Sequence, residues 1–446
     1  MARKKSNSDE GAATAVESDS TPIEAAVDGE EASKSNPVEE SKFDISKFFD
    51  QSKQKSFINR LNNKIKIEKV TTGDDSRLAF KKLPTSSIGL NKKLGGGFAR
   101  RKIHLSWGER SSGKSFFDYK NIAVLQRLCR NCLGVLPIYD KVATDLRSFF
   151  TMEDCSCGNP QMHRCGRIDY ESDYESAEKP EETQKFKEKE THMKKIGVIP
   201  EALTVMFASS IEECIDIAKD TILNKELDYF SIDSIQGGQS KTVFDKDGVN
   251  ETMGIDPKRI NVLLRDIMYA FHHVGINSYH ELPVVHIIAQ VRMKMGPTMS
   301  FASFSGGKGL EHQVSVILKW VRDSFLGANG QELDGIDYNS TYGIRTAYKN
   351  EKSKLDEPYF SGKIDVITKD TTFGLNHGDM NYLLELVDIG IESGKIRQSG
   401  AYFYIGEDKF QGYAKLQELY RDWETDRKST RLNSSHSGES RMPTSA

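Results

Sequence analysis

The sequence predicts an α/β protein whose core is a mostly parallel sheet, and three observations carry that prediction. The run KIHLSWGERSSGKSFF at 102–117 holds G-x-x-x-x-G-K-S from Gly108 to Ser115, after a β-branched and aromatic stretch and before helix-forming residues. Apolar runs at 203–208, 227–234, 282–289 and 314–320 alternate with stretches of helical period at 209–224 and 255–273. One of those runs, LDYFSIDS, ends in the acid Asp233. Strands that alternate with helices pair in parallel and bind ligands at their carboxyl ends, where a glycine-rich turn and a strand-tip carboxylate meet.

The glycine-rich turn is a phosphate-binding loop by its composition. Glycines let the backbone curl so that the N–H groups of Gly108, Glu109, Arg110, Ser111, Ser112, Gly113, Lys114, Ser115 and Phe116 face phosphate oxygens. Lys114 is expected to reach the β- and γ-phosphates of ATP and the Ser115 hydroxyl to ligate Mg²⁺. Asp233 then holds the metal's shell from the facing strand.

At 446 residues the chain has room for roughly three domains. Its 62 Lys and Arg against 65 Asp and Glu give a formal charge of −3. No overall basic footprint marks a nucleic-acid binder, so any DNA contact must come from local patches. No apolar run approaches the ~18 residues of a membrane span, and no signal-peptide pattern opens the chain. The reading is a cytoplasmic protein with no membrane partner, in which the six cysteines are thiols or metal ligands rather than disulfides.

Residues 1–41 are rich in Ser, Ala, Glu and Asp with almost no large apolar side chain, and read as a disordered tail. Residues 42–82 read as an oligomerisation segment. Within them Ile58, Leu61 and Ile65 fall at helical spacing beside basic residues, a face that packs either on a neighbouring protomer or on its own core.

The stretch LPTSSIGLNKKLGGGFARRKIHLSWGERSSGKS at 83–115 resembles the entry to the core of bacterial RecA recombinases and their phage-encoded relatives. MNYLLELVDIGIESGKIRQSGAYFYIGEDKFQGYAKL at 380–416 resembles their small C-terminal domain. The resemblance implies a RecA-like P-loop ATPase core over 83–350 and a small α+β domain over 351–420. It also implies a DNA-dependent ATPase whose ATP-bound protomers form a helical homo-oligomeric filament on single-stranded DNA. Such a filament pairs its strand with homologous double-stranded DNA, exchanges strands in recombination and repair, and releases DNA on hydrolysis.

Site residues follow from the same resemblance. The run IDYES carries the water-orienting glutamate, Glu171, and Asp233 matches the Walker B acid. Gln290 matches the γ-phosphate-sensing glutamine at the start of a DNA-binding loop, so that nucleotide state changes DNA affinity. That loop, VRMKMGPTMSFASFSGGKGLEH, looks like the primary single-strand site. Arg292 and Lys294 pair with phosphates there, and Ser305, Gly306 and Gly307 offer backbone N–H groups. Met299 and Phe301 either wedge between bases or pack the loop on itself. Lys258 and Arg265 match DNA-facing positions of the 255–273 helix, a solvated face being the alternative. YKNEKSK at 348–354 resembles the segment that sets two lysines, here Lys349 and Lys352, against a neighbouring protomer's γ-phosphate, with one extra residue between them. A charged insertion at 172–195 displaces the segment where the family stacks an aromatic on adenine, so no base-stacking residue is assigned.

Five of the six cysteines fall within 129–165, beside His163. Cys129 and Cys132 form C-x-x-C, half of a tetrahedral zinc site. Cys155 or Cys157 with Cys165 or His163 would complete it, and Cys129, Cys132, Cys157 and Cys165 are the favoured ligands of a structural Zn²⁺ in a cysteine-rich insertion at 129–166. Residues 421–446 fit no fold and look like a translated library-adapter tail of metagenome-derived reading frames. Two other functions stay open. One is a RadA-type RecA-fold helicase or branch-migration ATPase, in which the cysteines precede the core and the lysine motif reads KNRFG. The other is a nucleotide-switched filament or mediator protein that binds DNA without exchanging strands.

Overall fold

The computed structural model describes residues 51–131, 157–170, 191–236, 255–295, 300–304, 307–335, 337, 339–413 and 415–419. Its α-helices are α1 (Gln51–Ile65), α2 (Ile88–Lys93), α3 (Lys114–Arg127), α4 (Ile211–Asn224), α5 (Ile255–His273), α6 (Gly307–Gln313) and α7 (Leu383–Glu392). The strands up to the middle of the chain are β1 (Lys82–Leu83), β2 (Phe98–Ala99), β3 (Lys102–Gly108), β4 (Cys165–Tyr170), β5 (Leu203–Ala208), β6 (Tyr229–Asp233), β7 (Val284–Met295) and β8 (Ser300–Phe304). They continue with β9 (Val316–Leu326), β10 (Glu332–Leu333), β11 (Gly343–Ser353), β12 (Ser361–Ile367), β13 (Met380–Asn381), β14 (Ile396–Ser399), β15 (Tyr402–Ile405) and β16 (Asp408–Gln411).

The expected mixed α/β architecture is present. One large sheet runs β13-β12-β11-β9-β3-β7-β6-β4-β5, and its half from β9 to β5 is parallel throughout. Helices cover both faces, which is why its central strands are apolar on both sides. Toward one face, α4 and α5 pack through Ile211, Cys214, Ile215 and Ile222 and through Leu263, Leu264, Ile267 and Phe271 onto Ile103, Leu105 and Ile287. Toward the other, α3 sends Phe117, Ile122 and Leu125 against Val284, Leu318 and Trp320. A separate three-stranded antiparallel sheet, β14-β15-β16, packs Phe403 with Leu383 and Val387 of α7.

Three elements run differently from the sequence expectation. The strand expected to stop at residue 289 continues to Met295 and pairs antiparallel with β8, so the expected DNA loop begins as a ribbon with Arg292 opposite Ser303 and Lys294 opposite Phe301. Its ladder partners lie on a separate segment of the chain, and one-dimensional periodicity carries no signal of such pairing. Strands β12 and β13 still belong to the main sheet, so the small sheet starts only at Ile396. In the N-terminal segment the expected helix forms as α1, which buries no residue. No helix among the described residues is long and apolar enough to cross a membrane.

Candidate functional site

The glycine-rich loop sits where the sheet order demands. Gly108 ends β3, in register with Gln290 of β7 on one side and Trp320 of β9 on the other. A Cβ at Gly108 would lie 2.1 Å from the Trp320 carbonyl oxygen, so only glycine lets the two backbones approach. Gly113 takes a left-handed φ of 84° and starts α3 without a side-chain cap, which leaves the first N–H groups of the helix to the loop. Lys114 is buried and folded back, its Nζ donating to Gly108 O at 2.9 Å, Glu109 O at 2.6 Å and Ser112 Oγ at 3.2 Å. Desolvation lowers its pKa from the ordinary lysine value. Glu109, Arg110, Ser111 and Ser115 are exposed around it, and Phe116 is half-buried.

Asp233 closes β6 and reaches the loop. Ser115 Oγ donates to its Oδ2 at 2.7 Å. A hydroxyl and a carboxylate oxygen held together beside a phosphate loop are the hard donors that Mg²⁺ selects, so the residues present fit that ion.

Behind Asp233 lies a buried polar network that the sequence reading missed. Arg167 of β4 spreads one guanidinium over three carboxylates: NH1 donates to Asp118 Oδ2 at 2.7 Å, Nε to Asp169 Oδ1 at 2.8 Å and NH2 to Asp233 Oδ2 at 2.5 Å. It also lies over the Tyr119 ring. Asp118 further accepts from Tyr229 OH at 2.6 Å and Ser231 Oγ at 2.7 Å, and meets His286 Nδ1 at 2.9 Å. His286 Nε2 contacts Ser106 Oγ at 2.9 Å, and Trp320 Nε1 donates to that hydroxyl at 3.0 Å. Burial pushes the Asp118 carboxyl up, but His286, Arg167 and Tyr229 outweigh burial and hold it below the usual range.

Gln290 is exposed, and its backbone is clamped by another residue that escaped notice. Gln236 Nε2 donates to Gln290 O, and Gln290 N donates to Gln236 Oε1, both at 3.1 Å. The foot of the β7–β8 ribbon is thereby tied to the segment just after Asp233. Lys258 and Arg265 are exposed on α5, seven residues apart and so on one stripe. Arg292 and Lys294 lie on the distal part of β7, and Gly307 begins α6. Glu171, Met299, Ser305 and Gly306 lie outside the described residues, as do Cys132 and Cys155.

The two lysines of β11 are brought to one face by an irregularity. Lys349 pairs with Lys319 and Lys352 with Ile317, with a register shift between Asn350 and Lys352. Because 317 and 319 point to the same side of β9, the extra residue, Glu351, is absorbed as a bulge that returns Lys352 to the side of Lys349. Lys349 is exposed. Lys352 donates to the carbonyls of Glu311 and His312 at the end of α6, and desolvation together with Lys354 lowers its pKa to about 8.

The cysteine cluster lies only partly within the described residues. Cys165 opens β4, 1 % exposed, with its Sγ donating toward His163 O at 3.7 Å. Burial pushes its thiol far above the ordinary value. His163 is buried against Asp228 and held neutral, desolvation lowering its pKa to about 3. Among the described residues no group of three or more His, Cys, Asp or Glu side chains converges as a metal site. Cys129 and Cys157 do approach, their sulfurs 3.8 Å apart.

No family model matches the chain. Curated relatives do. Protein RecA of Corynebacterium jeikeium is 25% identical over 353 residues, covering 78% of this chain and 75% of the relative. The likeness is to RecA proteins. Protein RecA of Kineococcus radiotolerans is 26% identical over 78% of this chain and 81% of its own length, and that of Acidothermus cellulolyticus is 26% identical over 78% and 82%. A RecA-like chain is what these matches and the sheet with its glycine-rich loop jointly support.

Proposed function

We propose that this protein is an ATP-dependent DNA recombinase: a DNA-dependent ATPase of RecA type that forms filaments on single-stranded DNA, pairs it with homologous double-stranded DNA and exchanges strands. The observation that carries the reading is the register of Gln290 beside Gly108, at the foot of the ribbon bearing Arg292 and Lys294. A side chain that touches the terminal phosphate at that point is one peptide away from the DNA-facing strand, so nucleotide occupancy and DNA affinity are coupled mechanically.

In this reading Lys114 leaves its loop carbonyls to meet the β- and γ-phosphates, and the α3 N-terminus faces the same charge. Mg²⁺, held through Ser115 and Asp233, would neutralise charge between the phosphates. Glu171 orients the attacking water, and Lys349 with Lys352 reaches a neighbouring protomer's nucleotide. Arg292, Lys294, Lys258, Arg265 and the 305–307 backbone bind phosphates of the strand. The core begins at 83 after an oligomerisation segment, and a small domain follows the last strand of the main sheet.

Structural zinc rests on one distance. Two thiolates on a single tetrahedral ion at about 2.3 Å stand roughly 3.8 Å apart, which is the Cys129–Cys157 separation. Metal analysis of protein purified without added zinc decides it: near-stoichiometric zinc that disappears in a Cys129→Ser/Cys157→Ser variant supports the site, and zinc-free folded protein removes it.

Strand-exchange and DNA-stimulated ATP turnover, assayed together, test the function. Both activities are expected. Turnover with filament formation but no exchange would favour the mediator reading, and directional unwinding of a duplex the helicase reading.

A further inference from the structure

Arg167 belongs neither to the phosphate loop nor to the sheet's apolar core, yet it holds the acid on which the metal would sit. It is a wholly buried cation bonded at 2.5 Å to Asp233 Oδ2, the same oxygen that accepts from Ser115. Its other two arms are fixed by Asp118 of α3 and Asp169 of its own strand. A divalent cation drawn to Asp233 therefore meets a resident cation already spending part of that carboxylate's charge. We propose that Arg167 is a positioning residue of the metal–nucleotide site, which holds Asp233 on the Ser115 side and sets the Mg²⁺ requirement by competing with the ion for it.

Three features argue for this role over simple structural pairing. The contact is made to the strand-tip acid and not only to the buried pair. Arg167 retains two other carboxylates, so it has somewhere to lean when Asp233 turns to a metal. Asp118 keeps Tyr229, Ser231 and His286 if Arg167 is removed, so that carboxylate is not left bare. Linkage then requires that whatever tightens Arg167 on Asp233 weakens Mg²⁺, and the reverse.

The proposal rests on the P-loop reading, and its test separates the two. The full chain is titrated with MgCl2 at fixed concentrations of protein and a fluorescent N-methylanthraniloyl ATP, and the half-saturating Mg²⁺ concentration is read. Arg167→Gln is expected to lower that concentration at least about threefold, the scale of one partly screened unit charge. Asp169→Asn frees Arg167 to hold Asp233 more firmly and should raise it by a similar factor. Arg167→Lys keeps the cation but not the fork that spans three carboxylates, so its midpoint should fall between those of the parent and Arg167→Gln. A merely structural Arg167 leaves the Mg²⁺ midpoint where it was in every folded variant. An unchanged or raised midpoint in Arg167→Gln overturns the proposal. If that variant fails to fold, an unchanged or lowered midpoint in Asp169→Asn overturns it instead. A parent protein that binds no nucleotide at any Mg²⁺ concentration overturns the P-loop reading itself.

Discussion

Replacing Asp118 by alanine tests the buried interior behind the phosphate loop. The carboxylate receives four partners within 2.6–2.9 Å, from Tyr229, Ser231, Arg167 and His286. All four are buried, so water cannot take its place. Arg167 keeps Asp169 and Asp233, which limits its own loss. Ser231 loses its acceptor, at about 1–3 kcal/mol for a donor left without one, whereas Tyr229 keeps His286 Nδ1 at 2.8 Å. Breaking a buried charge pair from one side typically costs about 3–5 kcal/mol, and the sum for Asp118→Ala should fall in that range. Asp118→Asn keeps the shape but turns an amide toward two donors, so it should cost less, on the order of 1–3 kcal/mol. Urea unfolding followed by tryptophan fluorescence is a suitable assay, because Trp320 ends the same hydrogen-bond chain through Ser106. A loss below about 1 kcal/mol for the alanine variant, with unchanged denaturant slope, would refute the view that this network is a tightly satisfied unit.

Other perturbations reach the site and the domain contacts. Lys114→Ala should abolish ATP turnover while the circular dichroism of the fold survives, since the side chain supports loop carbonyls rather than apolar packing; undiminished hydrolysis would remove the loop assignment. Replacing Arg265 and Arg292 should weaken single-strand binding equally for unrelated sequences and flatten the salt dependence by roughly one counterion per lost contact; an unchanged salt slope would show that neither touches phosphate. Glu385 of α7 accepts from Ser87 and from the Ile88 and Gly89 amides at the start of α2, and burial raises its pKa from 4.5 to about 7. A carboxyl raised in the folded state binds its proton more tightly there than when unfolded. Stability from this group is thus greatest below pH 4.5 and is lost as pH rises toward 7, by roughly 3 kcal/mol at most. Glu385→Gln should cancel that slope, and a parent-minus-variant difference that stays flat between those pH values would contradict the burial argument.

The sequence by itself determined the parts of this protein whose signal is local. The glycine-rich loop needs glycines at set positions because backbones must approach and turn there, so Gly108, Gly113, Lys114 and Ser115 were legible as letters. The helices at 211–224 and 255–273 announced themselves because a buried face repeats every turn. Asp233 stood out as an acid ending an apolar run. Tertiary structure alone decided what depends on partners far apart in the chain. Arg167, Asp118, Tyr229 and His286 are unremarkable letters until the parallel order of β3, β7, β6 and β4 gathers them under α3, where desolvation makes each hydrogen bond obligatory. Cys165 was legible as part of a cysteine cluster, and only the fold shows that its strand buries it. The extra residue between Lys349 and Lys352 looked like a flaw in a motif, and only the β9 register shows a bulge returning both lysines to one face. Spacing along a chain records which side chains can be neighbours locally; which distant charges meet, and whether water reaches them, is set by the order in which strands pair.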